Sequence, residues 1–264
     1  MANPDLFRHV TSHLREGWSP EQIAGNLKSL WPDSPEKRVS HETIYNAIYV
    51  LPRGELRKDL IASMRRQHSV RRPRSRGQDR RGKIADMVSI HQRPPEVESR
   101  LVPGHWEADL IKGAANASSV GTLIERTSRL VVLVRMTDAT APTTVEAFAE
   151  GFNRIPAPLR KSMTYDQGRE MSRHKELAKR TGIDIYFADP HSPWQRGSNE
   201  NTNGLLRQYL PKGTDLSVFS QAELDAIAWR LNTRPRKALG FKCPVEVFIG
   251  QLILAEAEPH GAPH

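Results

Sequence analysis

Three acidic residues stand out by their positions: Asp109 in HWEADLI, Asp166 in TYDQG and Glu200 in SNENTNG. Carboxylate oxygens are the ligands that Mg²⁺ and Mn²⁺ prefer, and acids gathered from separate elements can hold two such ions. Two ions about 4 Å apart clamp the attacking and leaving oxygens of a phosphodiester, the arrangement that polymerases and nucleases use. Each acid alone means little, because carboxylates at strand ends also serve as solvated caps. Glu107, two residues before Asp109, falls on the same face of any strand containing both, where it would be an accessory neighbour.

The elements that must position these acids can be read from pattern. His105 to Ile111, Val120 to Glu125 and Leu130 to Met136 are strand-like runs with short polar connections, an antiparallel meander. A helix from about Thr143 to Ile155, a strand Ser162 to Tyr165, a helix from about Glu170 to Thr181, a strand Ile183 to Phe187 and a helix from about Ser198 to Tyr209 follow. The order βββαβαβα predicts an α/β fold, a mixed sheet with helices on its faces. Asp109 then lies in the first strand, Asp166 at the carboxyl end of the fourth, and Glu200 near a helix start. A further helix, Gln221 to Leu231, and an apolar carboxyl-terminal stretch pack on this body, and residues 251–264 form a tail.

Residues 1–64 read as helical. In Ser19-Pro20-Glu21-Gln22, serine caps the free amides, proline suits the first helical position and glutamine completes a capping box. Ile23, Ala24, Leu27, Leu30 and Trp31 then share one face. Ser40 opens a second helix with Ile44, Ala47 and Ile48 toward a core. Two short amphipathic helices in succession resemble a helix-turn-helix, although the connection is longer than usual. On that reading His41, Thr43 and Asn46 occupy the exposed part of the second helix that enters a major groove; a plain helical dimerisation unit is the alternative.

The chain has 264 residues and a formal net charge of +9. Residues 1–100 hold 19 basic and 12 acidic side chains, and Arg65 to Lys83 holds nine basic residues against Asp79 alone. Like charges without apolar periodicity do not fold on themselves, so residues 65–100 are expected to be a basic linker, with Arg71, Arg72, Arg74 and Arg76 placed to track a nucleic-acid backbone. The single cysteine, Cys243, excludes an intramolecular disulfide and the Cys-rich zinc modules, and a reducing cytoplasm is the expected compartment. His9 and His13 are four apart on a helix but have no nearby cysteine to complete a zinc site. The apolar runs LVVLV and VFIGQLILA fall short of the roughly 20 residues that span a bilayer, so a soluble protein without a membrane partner is expected.

The segments GHWEADLIKG, VGTLIERTSRLVVLV, MTYDQGREMSRHKELAKRTGIDIYFADPHSPWQRGSNENTNGLLRQYLPKGTDLS and LNTRPRKALGFKCPVEVF resemble the catalytic domain of transposases of the insertion sequence 30 family, and GWSPEQIAG with SHETIY extends the resemblance toward the amino end. It implies a ribonuclease H-like (integrase core) fold over residues 101–250. It also implies a triad of two aspartates and a glutamate whose last two members have 33 residues between them, as Asp166 and Glu200 do. Asp109 matches the first acid, and Arg207 the basic residue seven positions after the glutamate. The loop holding Trp194 and Arg196 lies beside DNA in that family.

The function implied is cleavage of transposon ends and their joining to target DNA with two Mg²⁺ or Mn²⁺ ions. The partners would be terminal inverted repeats, target DNA and further copies of the chain, at the bacterial nucleoid. Family members carry an additional amino-terminal helix-turn-helix, whereas the resemblance here begins almost at Met1. A truncated, non-catalytic DNA-binding regulator is therefore the alternative reading, and a metal-dependent ribonuclease a third.

Overall fold

The computed structural model describes residues 4–51, 59–60, 84–190 and 192–257, so Arg71, Arg72, Arg74 and Arg76 lie outside the described residues. The chain divides into two compact units, Met1–Asp79 with Thr233–Glu246, and Arg80–Asn232 with Val247–His264.

The first unit holds α1 (Pro4–Arg15), α2 (Pro20–Leu30) and α3 (His41–Val50). The expected capping box forms: Ser19 Oγ accepts the Gln22 amide at 3.3 Å, and Gln22 Oε1 accepts the Ser19 amide at 2.9 Å. Ser40 caps α3 through the Thr43 amide at 3.0 Å. The apolar stripes then meet, Val10 and Leu14 of α1, Ile23 and Leu27 of α2, and Ile44 and Ile48 of α3 closing one core with Trp18 and Leu60. Leu30, expected on the buried face, is exposed at the end of its helix. His41, Thr43 and Asn46 lie on the exposed side of α3, as their spacing predicts. The rings of His9 and His13 touch each other and those of Trp31 and Trp18 respectively, as packing partners in this helical bundle.

The second unit is built on a five-stranded mixed sheet. Before it comes a short helix, α4 (Glu96–Ser99); the strands are β1 (His105–Lys112), β2 (Ser119–Glu125), β3 (Val131–Met136), β4 (Ser162–Tyr165) and β5 (Asp184–Phe187). Their order is β3-β2-β1-β4-β5, with β1–β2 and β2–β3 antiparallel and β1–β4 and β4–β5 parallel. The helices are α5 (Ala141–Asn153), α6 (His174–Thr181), α7 (Gly197–Leu206), α8 (Gln221–Asn232) and α9 (Pro244–Ala257).

Strand alternation sorts the side chains by face. Trp106 packs against Phe152 of α5, and Gly121 lies where a Cβ would meet Phe148 of the same helix at 2.7 Å. The opposite face carries Ile111, Val120, Ile124, Val131 and Leu133, covered by Leu205 and Leu206 of α7 and by Leu224, Ile227 and Leu231 of α8. In the β1–β2 register Asp109 sits opposite Thr122 and Glu107 opposite Ile124. Both acids therefore face α7 and α8.

Residues 84–100 are not linker. Ile84, Ile90 and Val97 are buried, Ser89 bridges Phe187 of β5, and Arg93 donates to Thr164 Oγ1 of β4 at 2.9 Å. Three isolated apolar residues suffice to dock this stretch, and they form no period that pattern reading detects. Residues 251–257, expected in the tail, continue α9. The stretch Lys237–Ala257 is long and apolar enough by composition to cross a membrane, which run length alone did not suggest because Lys242, Glu246 and Gln251 interrupt its apolar runs. Gly240 and Phe241, both at positive φ, break the helical path, and the continuous helix is the 14 residues of α9. That is about 21 Å, against a hydrocarbon core of about 30 Å.

His105 opens β1 from a buried position, its Nδ1 2.7 Å from Ser162 Oγ of β4. Burial, helped by Lys161, lowers its pKa to about 4 from an ordinary 6.5. The folded state thus keeps a neutral imidazole where the unfolded chain takes up a proton, so His105 contributes stability that is complete above pH 6.5 and is lost as pH falls toward 4. Thermal unfolding followed from neutral pH downward should show a shallower decline in His105→Gln than in the parent; equal slopes would refute this assignment.

Candidate active site

Helix α7 crosses the polar end of the β1 face, and the two elements are tied at two points. Glu107 is fully buried: its Oε1 accepts Arg126 Nη1 at 2.7 Å and its Oε2 accepts the backbone amide of Asn199 at 3.0 Å. The second bond satisfies one of the unpaired amides in the first turn of α7 and sets a negative charge at the helix's positive end. One helical turn on, Asn203 Nδ2 donates to Asp109 Oδ2 at 2.9 Å. Positions two apart on a strand thus meet positions four apart on a helix, as both periods require.

Asp166 follows β4 directly, its Oδ1 accepting the Gly168 amide at 2.9 Å in a tight turn. Because β4 is parallel to and beside β1, the turn delivers Asp166 to the neighbourhood of Asp109. Arg196 joins them. Its Nη1 lies 3.6 Å from Asp109 Oδ1 and donates to Ala108 O at 3.3 Å, while its Nη2 lies 3.3 Å from Asp166 Oδ2. Burial raises the pKa of Asp109, the Arg196 charge opposes that rise, and the Asp166 charge adds to it. Two carboxylates from adjacent strands therefore converge on one cation.

The remaining expected site residues are distributed as follows. Glu200 is exposed in the first turn of α7, three residues before Asn203 and hence on the same side of the helix. Trp194 is exposed in the turn Pro193–Arg196. Arg207 ends α7 and donates to Lys112 O at 3.1 Å and Leu210 O at 3.3 Å, fastening the helix to the end of β1. Among the described residues no three His, Cys, Asp or Glu side chains are drawn together as a metal centre. Asp109 and Asp166 supply the hard oxygen donors a divalent cation needs, and Arg196 stands in for such a charge between them; Glu200 stands apart.

Arg126 was not legible as part of the site. It falls in the polar connection after β2, where the sequence shows only a turn, yet its side chain is buried on Glu107, with Glu98 3.7 Å away. Gln195 reads in the sequence only as part of the polar loop before α7, without a positioning role. Its Oε1 accepts the Asp189 amide and its Nε2 donates to Asp189 Oδ2, both at 2.8 Å, which pins the loop carrying Trp194 and Arg196 to the end of β5. Asn199 is buried with neither side-chain polar atom bonded, so its fixed contribution is its backbone amide.

The sheet order and the helices on both faces make an integrase-type core of ribonuclease H-like fold. Residues 100–193 match the family model described as the integrase core domain. The chain is 63% identical over 242 residues to the transposase for insertion sequence element IS1086 of Cupriavidus metallidurans, covering 92% of this chain and 71% of that one. It is 43% identical over 248 residues to transposase InsI for insertion sequence element IS30A of Escherichia coli, covering 93% of this chain and 64% of that one. Among solved structures, the catalytic core domain of BIV integrase aligns with 58% of this chain and 98% of its own at 18% identity, with a TM-score of 0.45. The chain belongs to the insertion sequence 30 family of transposases, and it spans 71% and 64% of the lengths of these two relatives.

Removing Glu107 would leave Arg126 buried without its closest partner and the first turn of α7 without its acceptor. Glu107→Ala should lower unfolding free energy by about 3–5 kcal/mol, as breaking a buried pair does. Glu107→Gln should cost less, because an amide oxygen can still accept one of the two bonds. Urea unfolding of both variants checks this, and a loss below about 1 kcal/mol for the alanine variant would contradict the anchoring role.

Proposed function

We propose that this chain cleaves DNA at the ends of an insertion sequence and joins those ends to target DNA, with Asp109, Asp166 and Glu200 as the ligands of two Mg²⁺ or Mn²⁺ ions. The observation that carries the reading is the convergence of Asp109 and Asp166, from parallel neighbouring strands, on a single positive charge. Divalent ions bound there would supply Lewis-acid charge for phosphodiester cleavage and for attack by a 3′-hydroxyl. The protein's part is to hold the donors. Glu107 and Arg126 fix α7, Asn203 orients the Asp109 carboxylate, and the exposed Glu200 is free to turn toward the pair. Arg196 offsets part of the charge of the two aspartates, and its guanidinium also suits a phosphate.

DNA contacts fall to Trp194, Arg196 and Arg207 in the core. In the first unit they fall to His41, Thr43 and Asn46 of α3, and Arg71, Arg72, Arg74 and Arg76 add contacts to the DNA backbone. Pairing two transposon ends calls for more than one copy of the chain. The wider identities support the reading, since the relatives at 63% and 43% identity are named as transposases.

Asp109→Asn, Asp166→Asn and Glu200→Gln should each abolish Mg²⁺-dependent nicking and joining of terminal-repeat DNA while leaving duplex binding nearly intact, because a lost ligand disables catalysis without weakening phosphate attraction. Retained cleavage in Asp166→Asn would sink the triad, and DNA binding without cleavage by the parent chain would favour a regulator. Arg196→Gln should bind Mn²⁺ about tenfold more tightly, equal to about 1.4 kcal/mol, since the ion no longer displaces a resident cation. Unchanged affinity in spin-resonance titrations would show that Arg196 does not compete with metal.

A further inference from the structure

The segment Thr233–Glu246, distant in sequence, is part of the amino-terminal helical unit. Gln22, the capping-box residue of α2, donates its Nε2 to Pro235 O at 2.6 Å in a buried bond. Phe241 lays its ring on Gly25, where a Cβ would come within 2.3–2.4 Å of the ring. The loop between is closed by Arg236 N to Lys242 O at 3.0 Å and Phe241 N to Arg236 O at 2.9 Å, and Cys243 Sγ reaches Thr233 O at 3.0 Å. Only glycine at position 25 lets the ring approach α2 so closely.

Docking this loop creates an open cleft of about 470 Å³ beside the start of α3. Lys28 of α2, Arg38, His41 at the head of α3 and Lys237 of the loop line it, with Glu21 as the one acid. Arg38 is held at the rim by its Nε, which donates to Trp31 O at 2.8 Å. Lys237 Nζ lies 2.6 Å from Glu21 Oε1, and both side chains are largely exposed. Such a surface pair is worth about 0–1 kcal/mol, so a phosphate can replace the carboxylate at little cost.

We propose that this cleft holds the phosphodiester backbone of a DNA duplex, and that Lys237 is a DNA-contacting residue contributed to the reading unit by the far end of the chain. The inference rests on the proposal that α3 faces DNA, and adds a backbone-holding site beside it. The cleft is wide open and excessively basic, which fits a polyanion. Its position next to exposed His41, Thr43 and Asn46 matches the division of labour in which phosphate contacts set register while a helix meets base edges.

The test measures duplex affinity of the full chain against salt concentration, on random-sequence DNA, for the parent, Lys237→Gln, Glu21→Gln and Gly25→Ala. Lys237→Gln should weaken binding, reduce the magnitude of the logarithmic salt slope by about 1, and leave the melting midpoint unchanged. Glu21→Gln should bind several-fold more tightly, having lost the competing carboxylate. Gly25→Ala, which displaces Phe241 and its loop, should reproduce the Lys237→Gln loss. If the parent binds duplex DNA and Lys237→Gln matches it in affinity and slope, the cleft is not a backbone site. If the parent binds no duplex at all, the DNA-reading role of this unit falls as well.

Discussion

Everything at the site depends on one buried carboxylate. Glu107 holds Arg126 on one oxygen and the first turn of α7 on the other, so the position of α7 over β1 is set by a bond from the strand rather than by apolar contact alone. A buried ion pair returns little net stability, because desolvating both charges offsets their attraction. Its return here is positional: the residue two places along the strand, Asp109, then meets Asn203 one turn further along α7.

Charge balance separates the permanent parts of the site from the exchangeable ones. Glu107 and Arg126 are both buried, and their bond is locked in the fold. Asp109 and Asp166 retain side-chain exposures of 28% and 43% and share the single guanidinium of Arg196. The first pair is closed off from solvent, whereas the second group is open to it. Gln195 fixes the backbone just before Arg196 through Asp189 while leaving the arginine side chain to the acids.

Much of this was legible in the sequence where the signal is local. The capping box at Ser19, the cap at Ser40, the three-strand meander, the strand holding Asp109 and the strand end before Asp166 follow from spacing, because caps and strand alternation act over a few residues. Long-range relations were not legible. Arg126 reads as a turn residue, and nothing near it in sequence announces a buried partner 19 positions back. Residues 84–100 inherit the polar look of the basic stretch before them, although three scattered apolar side chains dock them beside β5. Thr233–Glu246 reads as a continuation of the catalytic region, while the contacts of Phe241 with Gly25 and of Pro235 with Gln22 span more than 200 residues. Glu200 could be placed on its helix, but not its exposure, which depends on how α7 is rotated by Glu107 and Asn203.

The most direct test is a crystal structure of the chain soaked in Mn²⁺, with the ion located by its anomalous scattering. The account predicts Mn²⁺ between the carboxylates of Asp109 and Asp166, the side chain of Glu200 turned in toward it, Arg196 withdrawn, and the bond from Glu107 to the Asn199 amide unchanged. No anomalous density at the two aspartates, with Arg196 still spanning them at saturating Mn²⁺, would contradict it.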